Sequence, residues 1–558
     1  MMKIKNNIKM SILLLFFIIS EINSFKCDVK SLNITPGIID TLPRKNKRRI
    51  NDVNSGSPEG DKKEKMEEEE EKKYHNIIIG YDYTSFNNSK DVSNTTKNQL
   101  IKLLNEVKDM FNKSLSVGDK NKRIGISNDQ LKDLIKVRCK RSENEIDEYV
   151  NNSVIIDNDV TIFPYFANFS SEESDDDIVW MRGRYCLITR DLFPIGGILE
   201  INKNISNINL TNENTYNYFK YILFHQMTHI LVFDPNIMKG KNMIEDNQVI
   251  TNGVKLAART HFNCIKFIDD KDFGVPLDED GYHWDSRYML GDYMASFDYF
   301  DKTISDITFA LFDDSGLYNV DYLYGKYFNF GKKKTCSFFE KKCIENGKAN
   351  FEEFCTTSNE TKCSQSRISK GNCFINNYDY NISNGYQYFE NKTLGGLEKT
   401  DYCPVSYAEL DKNYYFSTSC KSQNNIPDKE FGETFGNDSF CFKITLNNTD
   451  KKNKEKAICY EVDCDFKNKI IIVNINNSKF NCSTDGGIIF VEEFKGNLTC
   501  PPYNEICENN SSEICKDMFD CFDEKFRRDY VFDDEISGFI ELNPEISSSN
   551  TKSLLNFS

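Results

Sequence analysis

Histidine is scarce in this chain, with five among 558 residues, so imidazole chemistry is confined to His75, His225, His229, His261 and His283. A basic excess is missing too: 70 Lys and Arg stand against 86 Asp and Glu, a net charge of -16. Phosphate contact needs clustered Lys and Arg, so a dedicated nucleic-acid binder is excluded. Beyond the first two dozen residues no apolar run approaches the roughly 20 residues that span a bilayer, and no transmembrane segment is expected after the N-terminus. The last residues, "NPEISSSNTKSLLNFS", lack the hydrophobic tail of a lipid-anchor signal. No repeat of fixed period is present, which sets solenoids aside.

What is present begins with a secretory signature. Lysines at 3, 5 and 9, an apolar run from Met10 to Ile19 and small or polar residues near Ser24 read as a signal peptide over 1–24. Nineteen cysteines, most of them beyond residue 335, then read as a disulfide framework. Sequons at Asn94, Asn168, Asn204, Asn381, Asn391 and Asn497 fit a secreted or surface glycoprotein. Residues 25–74, with "TLPRKNKRR" and "DKKEKMEEEEEKK", are too polar to fold alone and are expected to be a largely disordered, removable segment.

From residue 75 the pattern is mixed. "YHNIIIGYDYTSF" reads as a strand and "NQLIKLLNEVKDMFNKSL" as a helix. The stretches 152–170 and 184–202 are strand-rich, with Pro164 and Pro194 as interruptions and Gly196–Gly197 as a turn. Helices are expected over about Thr215–Leu231 and over "NQVITNGVKLAARTHFNCI", and short strands between cysteines beyond about residue 330.

His225 and His229 lie in "YILFHQMTHILVF", one helical turn apart, where both imidazoles can face one ion. An isolated H-x-x-x-H serves equally well as ordinary polar or core histidines. A third candidate, His283, follows a Gly-containing turn in "DEDGYHWDSRYMLGDYMASF" and precedes Met294 in a second turn. Three neutral imidazoles with one open position describe a catalytic zinc site, not a closed structural one. Metzincins pair such a set with a methionine-bearing turn.

The chain resembles the leishmanolysin family of surface metalloproteases, in which an insertion separates the zinc helix from the third histidine. The residues that carry the resemblance are "AARTHFNC" (Ala257–Cys264), "HWD" (His283–Asp285), "YMA" (Tyr293–Ala295), "YCLITRDLFPIGGILEIN", "LGGLEKTDYCPV" and "STDGGIIFVEEFKGNLTCPPYNEIC". It runs from about residue 75 to about 520. The resemblance implies one Zn2+ held by His225, His229 and His283, with Met294 beneath the site and His261 structural. It implies polypeptide substrates, laid along a sheet edge by backbone hydrogen bonds. It also implies a pro-segment whose cysteine can block the zinc; Cys27 is the candidate, or is merely unpaired. The implied fold is α+β: a metzincin-like catalytic part with a mixed sheet and the zinc helix (75–232), and a middle part with the third histidine and Met-turn (233–335). A cysteine-rich, mostly β C-terminal part (336–525) and a tail (526–558) follow.

Two positions depart from the family pattern. Gln226 stands where the family's glutamate takes a proton from the attacking water, and an amide has no usable basicity. Val232 replaces a glycine that often takes positive φ, so either the turn is built differently or the site is looser. A catalytically impaired metalloendopeptidase is the reading this favours. A working enzyme, either slow or with a base supplied from elsewhere, and a zinc-free adhesive module remain as alternatives; the sequence does not place Asp285 or its acidic neighbours near the water.

Overall fold

The first helix of substance in the computed structural model, α1 (Asn94–Ser114), shows how the local sequence sets the fold. Ser93 Oγ accepts from the Thr96 N–H at 3.1 Å and caps the start. Leu100, Leu103, Leu104, Val107, Met110 and Phe111 then recur at helical spacing and are buried. The structure describes residues 37–39, 74–118, 133–134, 138–139, 158–169, 179–296, 302–325, 328–358, 360–364, 366–407, 418–446 and 454–507. The expected signal peptide, Cys27, most of the 25–74 segment and the 526–558 tail lie outside the described residues.

A five-stranded mixed sheet carries the site. Its strands are β1 (Gly37–Ile39), β2 (Ile79–Tyr81), β3 (Val160–Ala167), β4 (Met181–Thr189) and β5 (Pro194–Asn202), in the order β1-β4-β5-β3-β2. β2, β3 and β5 are mutually parallel, β4 runs antiparallel to β5, and β1 pairs parallel with the far end of β4 at Leu187–Thr189. Three residues of the segment expected to be disordered are therefore strand. A disulfide joins Cys139 to Cys186 of β4.

Two expectations from proline and glycine are corrected. Pro164 lies inside β3: β2 pairs only with Val160–Ile162, and among the described residues no strand pairs with that side of β3 at Pro164, where the missing N–H is tolerated. Gly196 and Gly197 lie in β5, and the reversal comes earlier, with Leu192 at φ 65°. The glycine at 197 answers to packing: a Cβ there would stand 2.4 Å from Ile230 Cγ2.

Ile230 belongs to α2 (Glu213–Leu231), capped by Asn212 Oδ1 on the Thr215 N–H at 3.1 Å. The helix is buried from Tyr221 to Leu231, between the sheet and α1, where the Phe111 and Phe224 rings stack at 4.4 Å. At Gly183 on β4 a Cβ would meet the Gln226 carbonyl oxygen at 2.4 Å, a backbone atom that cannot swing aside. Gly183→Ala is accordingly expected to destabilise the protein by about 1–3 kcal/mol. An unchanged urea midpoint for that variant would contradict so close a packing of helix on strand.

After α2 the chain forms α3 (Asn252–Phe262), shorter than the expected segment because Gln248–Val249 pairs as strand, and then α4 (Asp306–Asp314). One hydrophobic core runs from Ile77 to Val405, so the segment with the third histidine shares its interior with the sheet and α2. A second core, Phe431 to Cys507, fills a six-stranded antiparallel sheet built from residues 439–499. All described cysteines are paired, in eight disulfides. Helix and sheet thus mix as expected of an α+β fold. No helix among the described residues is long and apolar enough to cross a membrane.

Candidate metal centre

α2 brings His225 and His229 to one face, and the loop before Trp284 adds His283. One ligand atom from each lies within 4.8 Å of the others, and all three residues are buried. The ring nitrogens divide cleanly into two sets. His225 Nδ1 faces the Tyr293 carbonyl oxygen at 2.7 Å, and His229 Nδ1 faces that of Phe233 at 2.8 Å. His283 Nδ1 faces Asp278 Oδ2 at 2.9 Å. Carbonyl and carboxylate oxygens accept, so each Nδ1 donates and each Nε2 carries a lone pair. Nε2 of His225 and Nε2 of His229 then stand 3.0 Å apart, and His283 Nε2 is buried with no hydrogen-bond partner. Lone pairs converging in a buried space call for a cation, and three imidazoles with outer hydrogen bonds suit zinc.

The outer contacts are themselves built in. Asp278 Oδ1 accepts from the N–H groups of Tyr282 and His283 at 3.0 and 3.3 Å. Burial pushes the Asp278 carboxyl up, but His283 and these hydrogen bonds outweigh it and hold it below the usual carboxylate range. Asp278→Asn is expected to weaken metal affinity about 10–100-fold, as loss of such outer partners does. Competition with a chromogenic chelator measures it, and unchanged affinity would remove Asp278 from the site.

Met294 is fully buried in the second turn. That turn is held by Asp292, which sequence reasoning did not single out. Its Oδ1 accepts from the Met294 N–H at 2.8 Å, and its Oδ2 accepts from the Thr308 hydroxyl at 2.8 Å. Burial pushes the Asp292 carboxyl up to about 6. Tyr293, also overlooked, supplies the carbonyl for His225 and accepts from the Tyr221 hydroxyl at 3.1 Å.

Gln226 is fully buried, and its Oε1 accepts from the Gly183 N–H of β4 at 2.6 Å. Val232 takes φ -152°, ψ -37°, outside the left-handed region. The turn is built differently from one that needs glycine: the N–H groups of Val232 and Phe233 both donate to the Thr228 carbonyl, at 2.9 and 3.0 Å. Phe233 can then return its own carbonyl to His229.

The remaining candidates stand apart from the triad's hydrogen bonds. His261 Nε2 bonds the Phe330 carbonyl at 2.8 Å, the ring stacks on Phe328, and burial pushes its pKa down to about 3. His75 bonds Asp159 at 2.9 Å. Asp285, which the sequence left unplaced, caps a short helix through Oδ1 on the Arg287 N–H at 2.7 Å; burial, then Asp401, pushes its carboxyl up to about 7.

Comparison with known proteins returns the resemblance independently. The model of the M8 peptidase family, leishmanolysin, matches residues 92–513. The chain is similar to leishmanolysin of Leishmania tropica, 26% identical over 379 residues, covering 62% of this chain and 54% of that protein. It is 25% identical over 376 residues to leishmanolysin of Leishmania donovani, covering 62% and 60%. The leishmanolysin-like peptidase of Drosophila melanogaster is 25% identical over 307 residues, covering 47% and 44%. The aligned part thus spans about half the length of these relatives.

Proposed function

This chain belongs to the leishmanolysin family of metallopeptidases, and on that footing we propose that it is a zinc-holding member whose peptidase chemistry is impaired at Gln226. His225, His229 and His283 would hold one Zn2+ through Nε2, and the observation that carries this is the convergence of three lone-pair nitrogens in a buried space. A zinc ion bound there would supply polarisation of a peptide carbonyl and activation of water.

The chain's own residues do the rest. Tyr293, Phe233 and Asp278 fix the three rings, and Asp292 and Met294 support the turn beneath. Extended polypeptide would lie along the edge of β4, whose Gly183 reaches Gln226. Gln226 can orient a hydrogen-bonding group but cannot hold the proton that hydrolysis must move, which limits turnover. Eight disulfides and the family support a place in the secretory pathway, outside the cell or at its surface. The test is elemental analysis of the purified chain: about one zinc per molecule is expected, and His229→Ala should lose it. Native protein that remains zinc-free after incubation with zinc would refute the assignment.

A further inference from the structure

The alternation of the ladder between β4 and β5 decides which backbone groups face the outer edge of the sheet. The Asn202 N–H donates to the Trp180 carbonyl at 2.8 Å, so Trp180 and Asn202 form a hydrogen-bonded pair of this antiparallel ladder. In the same register Met181 faces Ile201, Gly183 faces Leu199 and Tyr185 faces Gly197. Each of these lies an odd number of residues from that pair, so the N–H and C=O groups of Met181, Gly183 and Tyr185 turn away from β5, toward the outer side of β4. Among the described residues only β1 pairs on that side, and it takes Leu187–Thr189. Met181–Tyr185 is the stretch left for another strand, and Gly183 is its centre.

The central donor is already taken: Gln226 Oε1 accepts from the Gly183 N–H at 2.6 Å. We propose, resting on the reading above in which extended polypeptide lies along β4, that Gln226 holds this edge closed and that a bound strand must displace it. The close approach of α2 makes the contact possible. A Cβ on Gly183 would stand 2.4 Å from the Gln226 carbonyl oxygen and 3.1 Å from Gln226 Cβ, so the side chain starts directly against the strand and reaches its edge-facing N–H. Gly183 and Gln226 are both buried, which keeps bulk water from competing for the bond. A peptide carbonyl and a glutamine side-chain carbonyl are the same acceptor, an amide oxygen, and one N–H makes one well-aligned bond. A strand added to β4 therefore breaks one hydrogen bond for the one it makes at the centre of the ladder. The edge becomes a poor template for chance pairing, and polypeptide binding is tied to release of the side chain next to His225.

The test compares the native full chain with Gln226→Leu, which fills similar space without an acceptor. Hydrogen exchange at the Gly183 amide, followed by NMR of protein carrying isotope-labelled glycine, is expected to be at least about fivefold faster in the variant, whose buried donor is left without a partner. A short uncharged peptide of Val and Thr, blocked at both ends, is expected to bind the variant at least about fivefold more tightly, because it supplies that partner. The peptide is also expected to restore slow exchange at Gly183 in the variant, which a loss of packing alone would not produce. Exchange unchanged by the substitution, or peptide affinity equal to or below that of the native chain, overturns the inference and leaves the zinc assignment standing. Absence of peptide binding to either protein overturns both the inference and the placing of polypeptide on β4. Should Gln226→Leu not fold, Gln226→Met takes its place with the same expectations.

Discussion

Gln226→Glu is expected to raise hydrolysis of an unstructured polypeptide by about 10²–10⁴-fold over the native chain, the usual contribution of a general acid–base group. The two side chains have nearly the same size, and the Gly183 N–H that now holds Oε1 at 2.6 Å can hold one carboxylate oxygen equally well. The second oxygen then becomes a base where the amide offers only N–H. Nothing else in the triad needs to change, because Tyr293, Phe233 and Asp278 orient the rings independently of residue 226. The comparison is kcat/KM at equal metal occupancy, with chelator as control. A rise of less than tenfold would mean that the native site already has a base, and impairment would have to be abandoned.

The next largest effect is expected from the disulfides. Cys363 and Cys441 close a loop with a sequence separation of 78 residues and join the 361–373 ladder to the six-stranded sheet. Replacing both with serine is expected to cost about 4–5 kcal/mol in the chain-entropy treatment, against about 3 kcal/mol for Cys482 and Cys500, whose separation is 18. Cys441 is also fully buried, so its replacement loses packing as well. Denaturant midpoints of the two double variants give the order directly. A larger loss at Cys482–Cys500 would show that loop length does not govern this half of the molecule.

Much of the site can be read in the linear chain, and what escapes has identifiable physical causes. The i, i+4 spacing of His225 and His229 survives folding because helix periodicity is local. His283 was found only through its setting of glycine, Trp284 and a following methionine turn. Asp278 escaped notice because it sits in "LDED" among carboxylates that look equally exposed, and only the turn at Gly281 folds it back onto His283. The Tyr293 and Phe233 carbonyls are backbone groups, which no residue type announces.

Gly196–Gly197 was misread for a similar reason. A glycine pair signals a turn when only neighbours in sequence are considered, but Gly197 is small because Ile230 of α2 must lie against it. At Val232 two explanations stood open, and the paired N–H bonds to Thr228 favour the rebuilt turn. The eight pairings could not be read from spacing, since cysteine counts do not define connectivity.

The central claim is that this chain keeps a metal site and lacks the base. It is tested most directly by measuring zinc content and chelator-sensitive peptide hydrolysis on one sample of the native protein, freed of its N-terminal segment. About one zinc per chain with no chelator-sensitive turnover above background is the expected result. Robust turnover abolished by chelator, or a fully folded chain that binds no zinc, would contradict it.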